Sequence, residues 1–353
     1  MKKKLIGLVL LIVIMIVIGV IYFISGRAPK IVSVDGYVGG EKIELLEDAE
    51  VQAIFEEKYG VQADYSRAGS LDMMTADMEG MDYLFPSSSI AEEYYEDLHG
   101  SPQQSEIVLN TPIVLYTHRS VLDAFDSHGL ITQSGSSYYV DMPKLVELIQ
   151  NDTAWADIGL PELYGTISVD TTDPSSSNSG NMFSALLANV LNGGQTLTEE
   201  NLQQILPQLE DIFGKLGYME TSSSDLFSQF LRMGVGAKPI IAGYESQLIE
   251  YAALYPDQYE SMKDDIVMLY PAPTVWSTHV FIALDDNGQL LLNALLDEDV
   301  QKLAWEKHGF RTGNYTTVSE SEDLTAVGVA DDITQVTQVP SYDVMKVIIE
   351  QLQ

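Results

Sequence analysis

Five short segments combine small hydroxyl residues, glycine and an occasional charge in a pattern suited to holding a polar solute. They are Gly39-Gly40-Glu41-Lys42, Ala68-Gly69-Ser70, Pro86-Ser87-Ser88-Ser89, Asp173-Pro174-Ser175-Ser176-Ser177-Asn178-Ser179-Gly180 and Gly243-Tyr244-Glu245-Ser246. A serine hydroxyl both donates and accepts hydrogen bonds, and glycine lets a ligand reach the backbone. A helix starting at such a turn adds free N–H groups and a partial positive charge. One Ser or Asn suffices to cap a helix. The four serines and one asparagine at 175–179 exceed that need. Lys42 has two readings, a counter-charge for an anion or a solvated surface lysine. The residues expected to contact ligand are Gly40, Glu41, Lys42, Gly69, Ser70, Ser87, Ser88, Ser176, Ser177, Asn178, Ser179, Gly180, Tyr244 and Glu245.

Signals for other chemistry are weak. The five histidines (His99, His118, His128, His279, His308) show no metal-binding spacing. There is no G-x-S-x-G elbow, P-loop or G-x-G-x-x-G. With 52 acidic residues, any chosen carboxylate pair is weak evidence for acid–base catalysis. Cysteine is absent, which excludes disulfides, thiolate zinc sites, cysteine nucleophiles and a lipidated cysteine. The expectation is a binding protein, not an enzyme, with no cofactor and no metal.

The elements that must position these turns follow from periodicity. Apolar runs at 31–34, 61–65, 83–85, 107–116, 166–169, 239–242, 266–270 and 278–284 read as strands. Helical patterns cover 48–59, 71–78, 90–98, 143–150, 182–191, 198–216, 290–308 and 342–353, and 313–339 reads as a loop-rich wrap. The β-α alternation predicts an α/β fold with mainly parallel sheets flanked by helices. In such sheets ligands bind beyond the carboxyl ends of the strands, where the five segments fall.

The chain has 353 residues, enough for two lobes with separate cores. Pro112 lies in one long strand, and Pro271 and Pro273 end another. These prolines mark either edge strands or two crossings between lobes. Taken as crossings, they give lobe 1 as 31–111 plus 275–353 and lobe 2 as 112–274.

Charge is lopsided, with 18 Lys and Arg against 52 Asp and Glu, for a net of −34. The first 30 residues hold five cations and no acid, so the rest carries 13 cations against 52 acids, a balance of −39. A body this acidic is repelled by nucleic acid. It suits solubility in a salty or wall-associated setting, or a cationic partner. Residues 5–24 are an uninterrupted apolar run preceded by Lys2, Lys3 and Lys4. Twenty helical residues span the ~30 Å hydrocarbon layer, and the flanking lysines place the N-terminus in the cytoplasm. The competing reading is a cleaved signal peptide, but the run is long and Ser25-Gly26-Arg27-Ala28-Pro29 is a poor cleavage site. The expectation is a single-pass anchor (1–30 with its tip and linker) and an extracytoplasmic body.

The turns and their order resemble the type II periplasmic binding-protein superfamily, in particular the extracellular receptors related to sulfate, molybdate and phosphate binders. Gly39-Gly40-Glu41-Lys42 and Gly69-Ser70 resemble first-lobe binding loops, and Asn110-Thr111-Pro112-Ile113-Val114-Leu115 resembles a hinge strand. Tyr164-Gly165, Asp173-Pro174 and Ser177-Asn178-Ser179-Gly180 resemble the second-lobe loop, and Gly243-Tyr244-Glu245-Ser246 with Gly309-Phe310-Arg311 completes the pattern. The resemblance implies a Venus-flytrap that closes on a small polar ligand, such as an oxyanion, and an ABC permease as partner. Many such receptors are lipoproteins, whereas this chain has no cysteine and an apolar run instead. That departure keeps open a surface interaction or sensor module on the same fold, with a protein partner.

Overall fold

The computed structural model describes residues 31–312 and 324–353. The expected anchor at 1–30 lies outside the described residues. Among the described residues no helix is long and apolar enough to cross a membrane.

The first region is built on β1 (Val32–Val38), β2 (Val61–Arg67) and β3 (Tyr83–Phe85). β1 runs parallel to both of the others. It alternates as a half-buried strand should, with Val34, Gly36 and Val38 turned inward. Gly36 is required there, because a Cβ would collide with Tyr83 on β3. Between β1 and β2 run α1 (Ile43–Glu47) and α2 (Ala49–Ile54), the latter continuing as a π turn to Tyr59. Asp48 caps α2 by accepting from Glu50 and Val51 N–H, and Gly60 ends the segment at a φ of 65°. α3 (Ser89–His99) follows β3.

β4 (Gln104–His118) connects the two regions. From Val108 onward every residue in it is buried, as expected of a strand covered on both faces. Its first half pairs antiparallel with β9 (Trp276–Ala283) and β10 (Arg311–Thr312). Its second half pairs antiparallel with β7 (Ile240–Tyr244) and β8 (Ile266–Ala272). The change of partners falls at Pro112, opposite Trp276, where the missing N–H removes a ladder donor. Ile113 N–H then donates to the Val275 carbonyl at 3.0 Å. The hairpin β5 (Ile131–Ser134) and β6 (Ser137–Asp141) completes the second sheet, with β6 parallel to β8.

The second region carries α4 (Arg119–Ser127), α5 (Met142–Gln150), α6 (Asn178–Leu191), α7 (Glu199–Gly214), α8 (Ser223–Met233), α9 (Glu245–Leu254) and α10 (Pro256–Met262). The first region receives α11 (Asp286–Leu295) and α12 (Glu298–Glu306). The terminal α13 (Tyr342–Gln351) buries Val344, Met345 and Ile348 in the core of α5, α6 and α7. Its Tyr342 ring also stacks on Tyr94 of α3, at 4.5 Å between centroids.

The fold is α/β and two-lobed, but the sheet is mixed and not mainly parallel. Among the described residues three strand pairings are parallel and six antiparallel. β4 causes most of the difference, because it runs antiparallel to four of those partners. Other elements also depart from expectation. The helix expected at 71–78 is one 3-10 turn, Asp72–Met74. Met73 and Met74 are both buried there, and an Asp77 side-chain bond to Glu79 N–H precedes the left-handed Gly80. The helix expected at 290–308 is two helices, because Asp297 caps α12 by accepting from Asp299 N–H. The strand expected at 166–169 is reduced to isolated bridges, Thr166 to Ala154 and, just beyond, Asp170 to Ile241.

Candidate functional site

The carboxyl ends of β1, β2 and β3 all face one direction, so the turns at 39–42, 67–70 and 86–88 gather on one rim. Opposite stand the turns that open α6 and α8. Between them lies a cleft of about 230 Å³. Gly40, Glu41, Arg67, Gly69 and Ser70 line it from one side, and Ser176, Ser177, Asn178 and Thr221 to Ser224 from the other. A recess of about 10 Å³ adjoins it, sharing Gly69, Ser70, Ser176, Ser177 and Asn178 with it and lined also by Asp72 and Asn181.

The serine-rich turn is shaped by Asp173, whose carboxylate accepts from the backbone N–H and the hydroxyl of Ser175 at 2.8 and 2.7 Å. Gly180 is the residue that fits the first turn of α6, since a Cβ would collide with the Thr172 carbonyl. Ser177 holds the N-cap position in an extended conformation but makes no side-chain cap bond. Its hydroxyl lies 3.1 Å from that of Ser179, which is buried and 2.7 Å from Thr172 Oγ1. Ser177 therefore remains at the cleft surface, whereas Ser179 and Gly180 are internal.

Beneath the cleft is a buried polar cluster. Lys42 Nζ is fully buried and lies 2.5 Å from Glu41 Oε1, 2.7 Å from Ser87 Oγ and 3.3 Å from His279 Nδ1. The Ser87 hydroxyl also donates to Glu41. Burial pushes the Glu41 carboxyl up. The Lys42 ammonium, His279 and the hydrogen bonds from Lys42 and Ser87 outweigh it and hold the group at about 2. Burial lowers Lys42, with Glu41 opposing it. Burial and the Lys42 charge together push His279 well below its ordinary value. Glu41 is thus a fixed carboxylate in the cleft wall, and Lys42 is its internal counter-charge.

Asn178 bridges the two sides. Its Nδ2 lies 2.9 Å from the Ser87 carbonyl, 3.0 Å from Tyr244 Oη and 3.2 Å from Ser277 Oγ. Tyr244 is buried, and burial followed by the nearby Glu41 charge keeps its phenol well above the ordinary value.

The expected contacts thus separate into a cleft lining, a buried floor, and Ser88, Ser179, Gly180 and Glu245, which line neither. Gly40, Glu41, Gly69, Ser70, Ser176, Ser177 and Asn178 line the cleft. Lys42, Ser87 and Tyr244 form its buried floor. Ser88 caps α3 through Ile90 N–H at 3.1 Å, and Ser70 Oγ accepts from Ser87 N–H at 2.9 Å. Glu245 points elsewhere: fully buried, it takes Arg311 Nε at 2.7 Å, Arg311 Nη2 at 2.8 Å and Tyr270 Oη at 2.5 Å.

Sequence reasoning missed Arg67, Asp72, Asn181, His279 and the run Thr221-Ser222-Ser223-Ser224. That run was findable by the criterion used elsewhere, a hydroxyl turn before a helix. Ser222 caps α8 through Asp225 N–H at 3.4 Å, leaving its neighbours uncommitted to capping. Arg67 is the last residue of β2; it is exposed and its guanidinium sits over Gly40. Among the described residues it makes no ion pair. Among the described residues there is no cluster of three His, Asp or Glu able to hold a metal ion.

This architecture has counterparts among solved structures. The sulfate-binding protein SubI from Mycobacterium tuberculosis superposes with a TM-score of 0.58 at 14% identity, over 89% of this chain and 95% of that one. The periplasmic binding protein AfuA from Actinobacillus pleuropneumoniae, with fructose-6-phosphate bound, gives 0.57 at 14% identity, over 91% and 96%. Apo ferric ion-binding protein A from Pasteurella haemolytica gives 0.57 at 13% identity, over 91% and 96%. No protein-family model matches the chain, and no curated protein sequence does. The chain has the fold of the type II periplasmic and extracellular solute-binding proteins.

Proposed function

We propose that the chain is an extracytoplasmic solute receptor that captures a small oxyanion-bearing ligand between two lobes and delivers it to an ABC-type permease. The lobes are 31–111 with 275–353, and 112–274, with α13 lying against both. The apolar run at 5–24 holds the body to the membrane.

The observation that carries this reading is Arg67. In a body with 52 acids it is a guanidinium with no carboxylate partner among the described residues. It opens onto a cleft whose opposite wall is the starts of α6 and α8. An unpaired guanidinium presents a fork of donors matched to an oxyanion, and helix N-termini add N–H groups and partial positive charge. The likeness to binding proteins for sulfate and a sugar phosphate supports the same class of ligand. Asn178, reaching from one lobe to Ser87 and Ser277 of the other, is suited to hold a closed form that a ligand stabilises through contacts it gains there.

A thermal-shift screen of the full chain against sulfate, phosphate, sugar phosphates and carboxylates tests the proposal. A ligand at 100 times its Kd adds about 2.7 kcal/mol of stability, a shift of several degrees. No shift with any oxyanion would reject the reading.

A further inference from the structure

The cleft carries more than an anion site. Asp72 lines the recess together with Gly69; it is exposed, and its carboxylate has neither a cation nor a hydrogen-bond donor among the described residues. Asn181 lines the same recess, is 4% exposed, and its Oδ1 has no hydrogen-bond partner among the described residues. The Ser176 hydroxyl there is also buried and unpartnered. Buried acceptors are nearly always satisfied, so an orphaned amide oxygen marks a place where a donor is missing. Recess and cleft share Gly69, Ser70, Ser176, Ser177 and Asn178, so they adjoin. Arg67 stands on the cleft side and Asp72 on the recess side. Opposite charges lining adjoining cavities without forming an ion pair with each other leave both free for a ligand.

Resting on the receptor reading above, we infer that the cleft takes a zwitterionic solute, an oxyanion joined by a short spacer to a protonated amine. The oxyanion meets Arg67 and the hydroxyl turns of α6 and α8. The ammonium enters the recess, where it donates to Asn181 Oδ1 and faces the Asp72 carboxylate. Size agrees. The recess, at about 10 Å³, is at the lower end of the roughly 10–15 Å³ that one water needs, so it seats at most the ammonium head. The cleft of about 230 Å³ has room for more than a bare tetrahedral ion. Charge agrees as well. Glu41 is a fixed carboxylate in the cleft wall, and the body is strongly acidic; both penalise a bare multiply charged anion more than a zwitterion.

Calorimetry on the full chain with matched probe pairs tests the inference. The pairs are ethyl phosphate with phosphoethanolamine, ethanesulfonate with taurine, and propionate with β-alanine. In at least one pair the amine member should bind tenfold or more tightly. Asp72→Asn should shrink that ratio to about twofold or less, by weakening the amine member and not by weakening its amine-free partner. Equal binding within every pair that binds, or an Asp72→Asn effect equal on both members, would overturn the zwitterion inference and leave the receptor standing. If neither these probes nor inorganic sulfate and phosphate bind, the cleft reading falls and the inference falls with it.

Discussion

Two arginines at the ends of strands show how differently the same side chain can be used. Arg311, on β10, is saturated. It holds Glu245 through two nitrogens, reaches the carbonyls of Ala330 and Asp331, and packs over the Trp305 ring at 5.1 Å. Arg67, on β2, is exposed at a cleft and has no carboxylate among the described residues. A saturated cation has its charge answered by the fold and can act only structurally. An open one leaves its donors for something outside the chain. In the polar floor Lys42, Glu41, Ser87 and His279 Nδ1 answer one another, with only His279 Nε2 left over, whereas in the recess Asn181 Oδ1 and the Ser176 hydroxyl have no partner among the described residues.

Replacing the saturated arginine gives the largest expected effect. Arg311→Ala leaves the fully buried Glu245 carboxylate without its counter-charge, which typically costs about 3–5 kcal/mol. Urea unfolding should show this as a lower midpoint with an unchanged slope. A loss below about 1 kcal/mol would mean that the pair is not holding β10 to α9.

Acid titration gives the next largest effect. The Glu41 carboxyl is held at about 2 against an ordinary 4.5, so its ionised form is favoured by the fold. That contribution is complete above pH 4.5 and is lost as pH falls toward 2, on the order of 3 kcal/mol in all. Glu41→Gln should be less stable at neutral pH, because Lys42 loses its counter-charge, and its unfolding curve should be flatter between pH 4.5 and 2. An unchanged acid slope in Glu41→Gln would locate the acid sensitivity elsewhere.

Crowding the first turn of α6 is a smaller perturbation. Gly180→Ala puts a methyl against the Thr172 carbonyl, and overpacking of this kind costs about 1–3 kcal/mol. Because the same turn forms the cleft wall, the variant should lose ligand affinity as well as stability. Ser88→Ala, which removes only the cap of α3, should cost about 1 kcal/mol and leave affinity unchanged. Chemical unfolding together with ligand titration of both variants separates wall from cap.

Much of this arrangement was legible in the sequence, for local reasons. Apolar runs gave β3, β4, β7, β8 and β9 to within a few residues, because a strand covered on both faces carries few polar side chains, and β1 was found at its apolar start although it is only half-buried. Pro112 marked the place where β4 changes partners, because proline cannot supply the ladder donor there. The serine turns fell on the cleft wall because turn chemistry is local. Strand direction was not legible: periodicity is the same whether a neighbour runs parallel or antiparallel, so the mixed sheet was missed. The stop at Leu296-Asp297 was hidden because apolar periodicity continues on both sides of the cap. Charge pairing was the other limit. Glu245 looked like a cleft residue until its partner, 66 positions away, was visible. Arg67 was overlooked because a lone cation after a strand is distinguished only by partners it lacks.

The most direct test of the account is to measure oxyanion affinity and unfolding free energy together for the full-length chain and its Arg67→Ala variant. The account predicts stability within about 0.5 kcal/mol of the parent, as for an exposed residue without partners. It predicts at least a tenfold loss of affinity, the scale of one charge-assisted contact. An unchanged affinity for an oxyanion that the parent binds would contradict the assignment of this cleft as the binding site.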